Sequence, residues 1–222
     1  MYKLILVAST ALAMTACTYS SHGPESNRSV ESAGMVASRH VDVTGDAEFA
    51  GVMVNARGDI GRDLDLAGAS VRSNAHVGGD LTAAGANVVF NGTVAGNSEI
   101  AGARVNLDAE FEGNVDIAGA RVNLDGIVRG RLDAHTARIN IRGEILGPVL
   151  LIGEGREDRN GRAILSGYLA QGGVICASEV EFRTRARFDG ELTIIADERP
   201  ADAPASFTYI ELDGRDCDRL DL

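Results

Sequence analysis

Carboxylate side chains recur at intervals of seventeen residues through the middle of this 222-residue chain. If the chain winds with that period, these side chains fall on one line, where they could collect divalent cations or a cationic partner. The alternative is a solvated face, because like charges one strand apart in water repel by less than about 1 kcal/mol. This acidic column, interrupted once at Thr82, is Glu48, Asp65, Glu99, Asp116 and Asp133.

A line of guanidinium groups and a line of amides keep the same interval. The arginine column is Arg104, Arg121 and Arg138. It could bind an anionic glycan or a lipid head group, or it could be a solubility device that also discourages aggregation. The asparagine column is Asn106, Asn123 and Asn140. Stacked amides of this kind form hydrogen-bonded ladders, so this column predicts a stabilising role.

Residues suited to catalysis are scattered. The four histidines lie far apart, and His135 stands where most other repeats have alanine. The sequence contains no Gly-x-Ser-x-Gly, His-Glu-x-x-His or phosphate-loop pattern and no tryptophan that could stack on a sugar. We therefore predict a protein that is not an enzyme and has no cofactor and no metal site. A less favoured alternative is a polysaccharide-acting enzyme with its site near residues 153–187.

The spacing of these columns comes from a repeat that is visible in the sequence itself. "EIAGARVNLD" occupies residues 99–108, and "DIAGARVNLD" occupies residues 116–125. Counted from Val43, the chain divides into six seventeen-residue units and part of a seventh, without gaps. The first position of every unit is apolar: Val43, Ile60, Val77, Val94, Phe111, Val128 and Ile145.

The pattern within each unit predicts strands. Apolar residues two apart, at positions five and seven and again at twelve and fourteen, are typical of strands with one buried face. Glycines at positions three and nine fall between these pairs, where bends and positive φ angles are expected, and so many glycines would destabilise a helix. We predict three short strands and three bends per turn of a single-stranded parallel β-helix. Seventeen residues do not fit the hexapeptide rhythm of left-handed β-helices, so we predict a right-handed one.

The repeat also suggests the domain boundaries. Regular turns cover residues 43–152, and irregular turns cover 153–196 after the charged insertion "GEGREDRNGR" at 153–162. The segments "LSGYLAQ" and "FDGELTII" both resemble the opening of a repeat, which makes Leu165 and Phe188 equivalent. Residues 197–222 are predicted to form a C-terminal strand and cap, because the end of a solenoid must protect an open strand edge.

The N-terminus carries the features of an export signal. In residues 1–16 a lysine precedes an apolar run that ends in small residues, and Cys17 follows in "AMTAC", similar to the lipobox of bacterial lipoproteins. We predict lipidation of Cys17, anchoring in the outer membrane facing the periplasm, and a flexible tether over residues 17–42. The alternative is ordinary secretion with cleavage near Ala13 or Ala16.

Charge and cysteine content restrict the partners. The formal net charge of −11 argues against nucleic acid, which is itself a polyanion. With Cys17 lipidated, Cys176 and Cys217 remain, and leftover cysteines of exported proteins often pair. We therefore predict a Cys176–Cys217 disulfide, the alternative being a buried thiol at Cys176.

Units such as "VGGDLTAAGANVV" (77–89) and "FEGNVDIAGARVNL" (111–124) resemble bactofilins, through the repeated step from glycine and Asp or Asn into alternating apolar residues. The resemblance covers residues 43–152 clearly and 163–196 loosely. It implies a right-handed parallel β-helix and a bacterial scaffold that polymerises end to end without nucleotide. Typical bactofilins are cytoplasmic, whereas this chain has an export signal and a C-terminal extension with cysteines.

Together these patterns favour a non-enzymatic, lipid-anchored scaffold of the bacterial cell envelope that acts through its shape and self-association. Its expected partners are the membrane, further copies of the chain, and cell-wall or envelope proteins. The main alternative is an envelope ligand-binding module that uses the charged columns to hold cations, glycan or a protein.

Overall fold

A computed structural model describes residues 29–153, residues 161–212 and Cys217. These residues form strands and turns without an α-helix, and the strands build a parallel β-solenoid of about ten turns. The predicted signal peptide and the lipidation site Cys17 lie outside the described residues. Within the described residues, no helix is long and apolar enough to span a membrane.

The described chain contains seventeen strands, which all belong to one sheet. The strands are β1 (Val30–His40), β2 (Ala47–Ile60), β3 (Leu64–Val77), β4 (Leu81–Val94), β5 (Ser98–Phe111), β6 (Val115–Leu124), β7 (Ile127–Val128), β8 (Leu132–Ile141), β9 (Glu144–Ile145), β10 (Val149–Gly153), β11 (Arg162–Leu165), β12 (Tyr168–Leu169), β13 (Gly172–Cys176), β14 (Glu179–Phe182), β15 (Arg187–Phe188), β16 (Glu191–Ala196) and β17 (Thr208–Glu211).

Successive turns stack in parallel with a constant offset of seventeen residues. Strand β5 pairs with β6 so that Glu99 lies beside Asp116 and Val105 beside Val122. The two similar decamers in the sequence are therefore the same part of two neighbouring turns. The prediction of a parallel β-helix with seventeen-residue turns is confirmed.

Matching apolar positions form continuous buried columns inside the solenoid. Val71, Val88, Val105 and Val122 at position twelve are all 0% exposed. Larger side chains fill the wider parts of the interior, where the rings of Phe90 and Phe111 lie 6.1 Å apart between centroids. Full burial of such a side chain contributes about 1.5–3 kcal/mol to stability, and each turn repeats the contribution.

The predicted division of each turn into three strands and three bends is wrong for the first turns. Strands β2 to β5 each run through fourteen residues, and a short turn separates one from the next. From β6 onward the same path is divided into shorter pieces. The chain still turns corners, but the backbone pairing between turns continues through most of them.

The glycines at positions three and nine do not have positive φ angles, contrary to the prediction. Positive φ occurs instead at position sixteen, in Gly58 and Gly92. The ninth-position glycines are needed for close stacking, because a Cβ atom on Gly68 would lie 2.5 Å from the carbonyl oxygen of Gly51 in the turn below. A side chain at this corner would push neighbouring turns apart.

A ladder of carboxylate and amide side chains at position four joins the turns, a feature that the sequence analysis missed. We call it the Asx ladder, and its members are Asp46, Asp63, Asp80, Asn97 and Asn114. Each Oδ1 atom accepts a hydrogen bond from the backbone N–H seventeen residues later. The four later bonds are 2.7–3.0 Å long, between nitrogen and oxygen.

Glycine at position three makes the Asx ladder possible. A Cβ atom on Gly79 or Gly96 would overlap Oδ1 of Asp63 or Asp80. Where Arg62 replaces this glycine, the bond from the backbone N–H of Asp63 to Asp46 lengthens to 3.4 Å. The repeated Gly-Asp and Gly-Asn steps are therefore one structural unit rather than two separate turn preferences.

The predicted tether over residues 17–42 is wrong in its second half. Strand β1 pairs in parallel with β2 from Val30 to His40, again with an offset of seventeen. The sequence hides this turn because two inward positions carry polar residues, with Ser32 beside Phe49 and Arg39 beside Ala56. Arg39 is exposed and Ser32 is partly exposed, since no described turn lies below them. Polar residues at inward positions suit a terminal turn.

The irregular region keeps the solenoid but changes its register. Arg162 lies beside Arg138, an offset of twenty-four, so the insertion adds seven residues to one turn. The predicted equivalence of Leu165 and Phe188 is wrong, because Leu165 pairs with Ile141 and Phe182, whereas Leu169 precedes Phe188 in its column. The two sequence segments that begin at Leu165 and Phe188 look alike, but they lie at different corners of the turn.

The C-terminal strand and cap are present as predicted. Strand β17 pairs in parallel with β16, so the same sheet continues beyond the predicted boundary at residue 196. Phe207 packs beside Phe182, with ring centroids 6.4 Å apart, and the Arg199 guanidinium lies 4.9 Å from the Phe207 ring centroid. The hydroxyl of Tyr209 donates a hydrogen bond to the Ala196 carbonyl at 3.2 Å.

Candidate functional site

The structure brings the acidic column together on consecutive turns. Glu48 pairs with Asp65, Thr82 interrupts the column as expected, and Glu99, Asp116 and Asp133 follow. Strand β1 adds Glu31 beside Glu48, which the sequence analysis assigned to the tether. The column ends where Leu150 lies beside Asp133.

An arginine compensates one end of the acidic column, and a histidine lies beside it. The Arg131 guanidinium lies 3.2 Å from a carboxylate oxygen of Asp133 and 3.9 Å from one of Asp116, and His135 Nε2 lies 3.5 Å from Asp133. Among the described residues, no group of three or more His, Cys, Asp or Glu side chains is arranged to hold a metal ion.

The arginine column is longer than the sequence indicates. Arg104, Arg121 and Arg138 stack in register, and Arg162 continues the column on the next turn. The seven-residue insertion hides Arg162 from a strict seventeen-residue count. Arg162 differs from the others because it contacts Glu179 at 3.1 Å and Glu181 at 2.6 Å.

The first three members of the arginine column have no such compensation. No ion pair joins Arg104, Arg121 or Arg138 to a carboxylate in the part of the chain that the structure describes. All three are exposed. They line a shallow groove of about 430 Å³ with the alanines that precede them, Ala103, Ala120 and Ala137.

The asparagine column lies beside the arginine column on the outer face of the same strands. Residues alternate outward and inward here, so that Arg104 and Asn106 flank the buried Val105. The amide of Asn123 donates a hydrogen bond to Oδ1 of Asn106 at 2.8 Å. The predicted amide ladder is confirmed for this pair, and Asn140 occupies the next place in the column.

The cysteines have a structural role. The structure joins Cys176 and Cys217 by a disulfide bond, with Cα atoms 5.7 Å apart. Both cysteines are buried and form a small apolar cluster with Ile195 and Leu212. A bond that closes a 41-residue separation fixes the C-terminal cap to the solenoid.

The region near residues 153–187, assigned to an alternative enzyme site, borders an acidic hollow of about 610 Å³. Its lining includes Glu179, Glu181, Asp197 and Asp202. Arg162 binds the first two, and Arg183 contacts Glu181 at 2.8 Å. These ion pairs give the glutamates a clear structural role between β11 and β14.

Tyrosine and histidine side chains do not assemble into a catalytic group in the described structure. The Tyr168 hydroxyl donates a 2.5 Å hydrogen bond to Asp189, and this bond raises the pKa of Tyr168 above its ordinary value. His76 Nδ1 lies 2.9 Å from the Thr93 hydroxyl, and His40 lies 3.5 Å from Asp42. These contacts are each local to one place on the solenoid.

In comparisons with known proteins, no family model, no curated protein and no solved structure matches this chain. The resemblance to bactofilins therefore remains a hypothesis carried by the repeat motif. Over the described residues, the geometry offers a stacked body with a line of three exposed cations, Arg104, Arg121 and Arg138, that no carboxylate neutralises.

Proposed function

We propose that this protein is a non-enzymatic scaffold or spacer of the bacterial cell envelope, held to a membrane by lipid on Cys17. The observation that supports it best is the in-register pairing of β1 to β8, which makes one continuous sheet with a dry interior. At about 4.8 Å per turn, ten turns give a body roughly 45–50 Å long. Such a body keeps two attachments at a fixed separation.

The position of β1 makes the anchorage short. Twelve residues separate Cys17 from Val30, so the first turn can stand at most about 45 Å from the lipidated residue. A predicted tether through residue 42 would have allowed a longer reach. The maximum distance between the anchor and the first turn is therefore shorter than the predicted boundary at residue 42 would allow.

The two ends of the solenoid favour small assemblies over long filaments. The C-terminal end is covered by β17, Phe207 and the disulfide-bonded Cys217. The first two turns expose Met35 by 76%, Val36 by 65% and Met53 by 51% of their surfaces. An apolar patch near one end supports pairing there, whereas end-to-end polymerisation would need two open ends.

Membrane fractionation and electron microscopy test this proposal. We expect full-length protein in the membrane fraction and the Cys17→Ala variant in the soluble fraction. Micrographs of that variant should show short rods that do not grow into filaments. Soluble wild-type protein would contradict the lipid anchor, long filaments would contradict the capped end, and release of sugars from a panel of polysaccharides would contradict a non-enzymatic role.

A second candidate function is the binding of an envelope ligand. The observation that favours it is the stacking of Arg104, Arg121 and Arg138 without carboxylate partners in the described structure. A scaffold needs no such column, because scattered surface charges give the same solubility.

A further inference from the structure

The arginine column is unusual in its electrostatic setting. The chain has a net charge of −11, and many of its arginines are ion-paired, including Arg62, Arg129 and Arg142. Arg104, Arg121 and Arg138 instead face one another on adjacent turns. Like charges directly opposite on neighbouring strands are destabilising. An anion that bridges them would remove this repulsion as it binds.

The local backbone shapes the surface around the column. The register pairs Gly85 with Gly102 and Asn87 with Arg104, so the tenth position between them lies outside the backbone ladder at a corner of the turn. Ala103, Ala120 and Ala137 occupy that position and are exposed. Small side chains here leave a flat apolar floor beside the guanidinium groups and create the groove of about 430 Å³.

Amide groups border the other side of the guanidinium line. Asn106 and Asn123 face outward two residues after Arg104 and Arg121, and their mutual hydrogen bond holds them in place. An amide in such a ladder keeps donor and acceptor capacity for a further partner. One strip of surface therefore offers an apolar floor, a row of cations and a row of amides.

We propose that this strip binds a linear anionic polysaccharide along the solenoid axis. Each guanidinium presents a planar fork that matches a carboxylate, and its neighbours repeat at the spacing of one strand, about 4.8 Å. An extended sugar chain with a carboxylate on each unit repeats its charge at a similar interval. The alanine floor accepts the C–H face of a sugar ring, and the asparagine amides bond to its hydroxyls.

This inference rests on the second candidate function and names its ligand. A single-stranded nucleic acid fits the strip less well, because the residues that line the groove include no aromatic side chain on which a base could stack. Arg162 ends the strip because Glu179 and Glu181 already neutralise it. The strip therefore holds three charges of a longer polymer, and its binding weakens as salt increases.

The test uses full-length protein with Cys17→Ala, so that acyl chains do not contribute to binding. The probe is polygalacturonate, with neutral dextran as the uncharged comparison. We expect binding to polygalacturonate and none to dextran. The variant Arg104→Gln/Arg121→Gln/Arg138→Gln should bind at least about tenfold more weakly, because charge-assisted hydrogen bonds are lost together.

A matched control removes the same charge elsewhere. Arg39, Arg57 and Arg185 are exposed and lie in the first two turns or in the irregular turns, outside the columns that form the strip. Their triple replacement by Gln should change binding by less than about twofold, since distant surface charges are screened. Equal weakening by both triple variants, or no binding of the unsubstituted protein to polygalacturonate, would overturn the proposal. Circular dichroism confirms that each variant remains folded.

Competing ligands identify the anion. Two competitors are single-stranded DNA and phosphatidylglycerol vesicles. If either binds the protein more tightly than polygalacturonate does, and if the triple variant of Arg104, Arg121 and Arg138 loses that binding, the proposed ligand class is wrong. Membrane fractionation of the wild-type protein is independent of these results. A failed anchor and a failed polysaccharide site would therefore be distinguished.

Discussion

The regular turns from β2 to β8 and the irregular turns from β11 to β17 build one sheet by different means. In the regular turns, each stabilising contact is repeated every seventeen residues, through glycine corners, the Asx ladder and buried apolar columns. In the irregular turns the buried apolar columns continue, but individual contacts take the place of the Asx ladder, among them the Cys176–Cys217 disulfide and the Phe182–Phe188 ring pair, whose centroids lie 5.9 Å apart.

This difference shows how a solenoid ends. A repeated ladder needs an acceptor on one turn and a donor on the next, and the Asx ladder stops at Arg131, whose side chain has no acceptor. The next residue in that position, Pro148, has no backbone N–H to satisfy. Beyond this point the register shifts by seven residues, and closure depends on contacts that occur once.

The largest effect should come from breaking a glycine corner in the regular turns. A Cβ atom on Gly102 would lie 2.7 Å from the Gly85 carbonyl oxygen and 3.1 Å from Cγ2 of Val105. We expect Gly102→Val to lower the free energy of unfolding by about 4 kcal/mol or to prevent folding, because backbone of the adjacent turn must move. Denaturation with urea measures the change.

The neighbouring corner residue provides the control. Ala103 is exposed, and valine already occupies the equivalent position at Val52. The variant Ala103→Val should change the free energy of unfolding by less than about 0.5 kcal/mol. If both variants lose a similar amount of unfolding free energy, close stacking of the turns is not the reason for glycine at position nine.

Removing the disulfide should have the next largest effect, confined to the irregular turns. We expect Cys176→Ala/Cys217→Ala to lose roughly 3–4 kcal/mol, because the unfolded chain is no longer constrained over this loop. Hydrogen exchange should show faster opening of β13, β16 and β17, while β3 to β5 keep their protection. Uniform loss of protection would contradict a division into two differently stabilised regions.

Shortening the Asx ladder should have a smaller effect. Asn114 accepts a 2.9 Å hydrogen bond from the backbone N–H of Arg131, and we expect Asn114→Ala to cost about 1 kcal/mol. The exposed Asn91 is the matched control, and Asn91→Ala should be nearly neutral. Thermal unfolding compares the two, and equal melting temperatures would mean that the ladder adds nothing to the stacked backbone.

The smallest effect concerns Tyr168 in the irregular turns. Because its hydrogen bond to Asp189 raises the pKa of Tyr168, the bond stabilises the fold below the ordinary tyrosine pKa, and this contribution is lost as pH rises above about 10. Tyr168→Phe should therefore be less stable than wild type at neutral pH, with the gap closing in alkali. A gap that is constant from pH 7 to 11 would contradict this role.

The buried columns could be predicted because each apolar position repeats on many turns. Val88, Val105 and Val122 fall seventeen residues apart, and period-two alternation identifies their face. Strand β1 was not predicted, because Ser32 and Arg39 interrupt the apolar pattern in this terminal turn. An apolar pattern indicates which positions are buried. A terminal turn has one neighbouring turn instead of two, so its inward positions are less buried and need not be apolar.

The candidate site was predicted in part for a related reason. The spacing of Arg104, Arg121 and Arg138 places them in a column, but it does not show whether carboxylates neutralise them. Arg162 was missed because an insertion changes the count, and its partner Glu179 follows at the ordinary offset of seventeen only once Arg162 has been placed in the column. Side-chain pairing between irregular turns depends on loop lengths that a periodic pattern does not encode.

The central claim is that successive turns lie in register, so that residues seventeen apart share one column. Methyl nuclear Overhauser effects measured on protein with labelled valines test it most directly. We predict cross-peaks from Val105 to both Val88 and Val122, whose side chains line the same buried column. Absence of both cross-peaks in the folded protein, or contacts from Val105 to residues eighteen apart, would contradict the stacking from which every column is inferred.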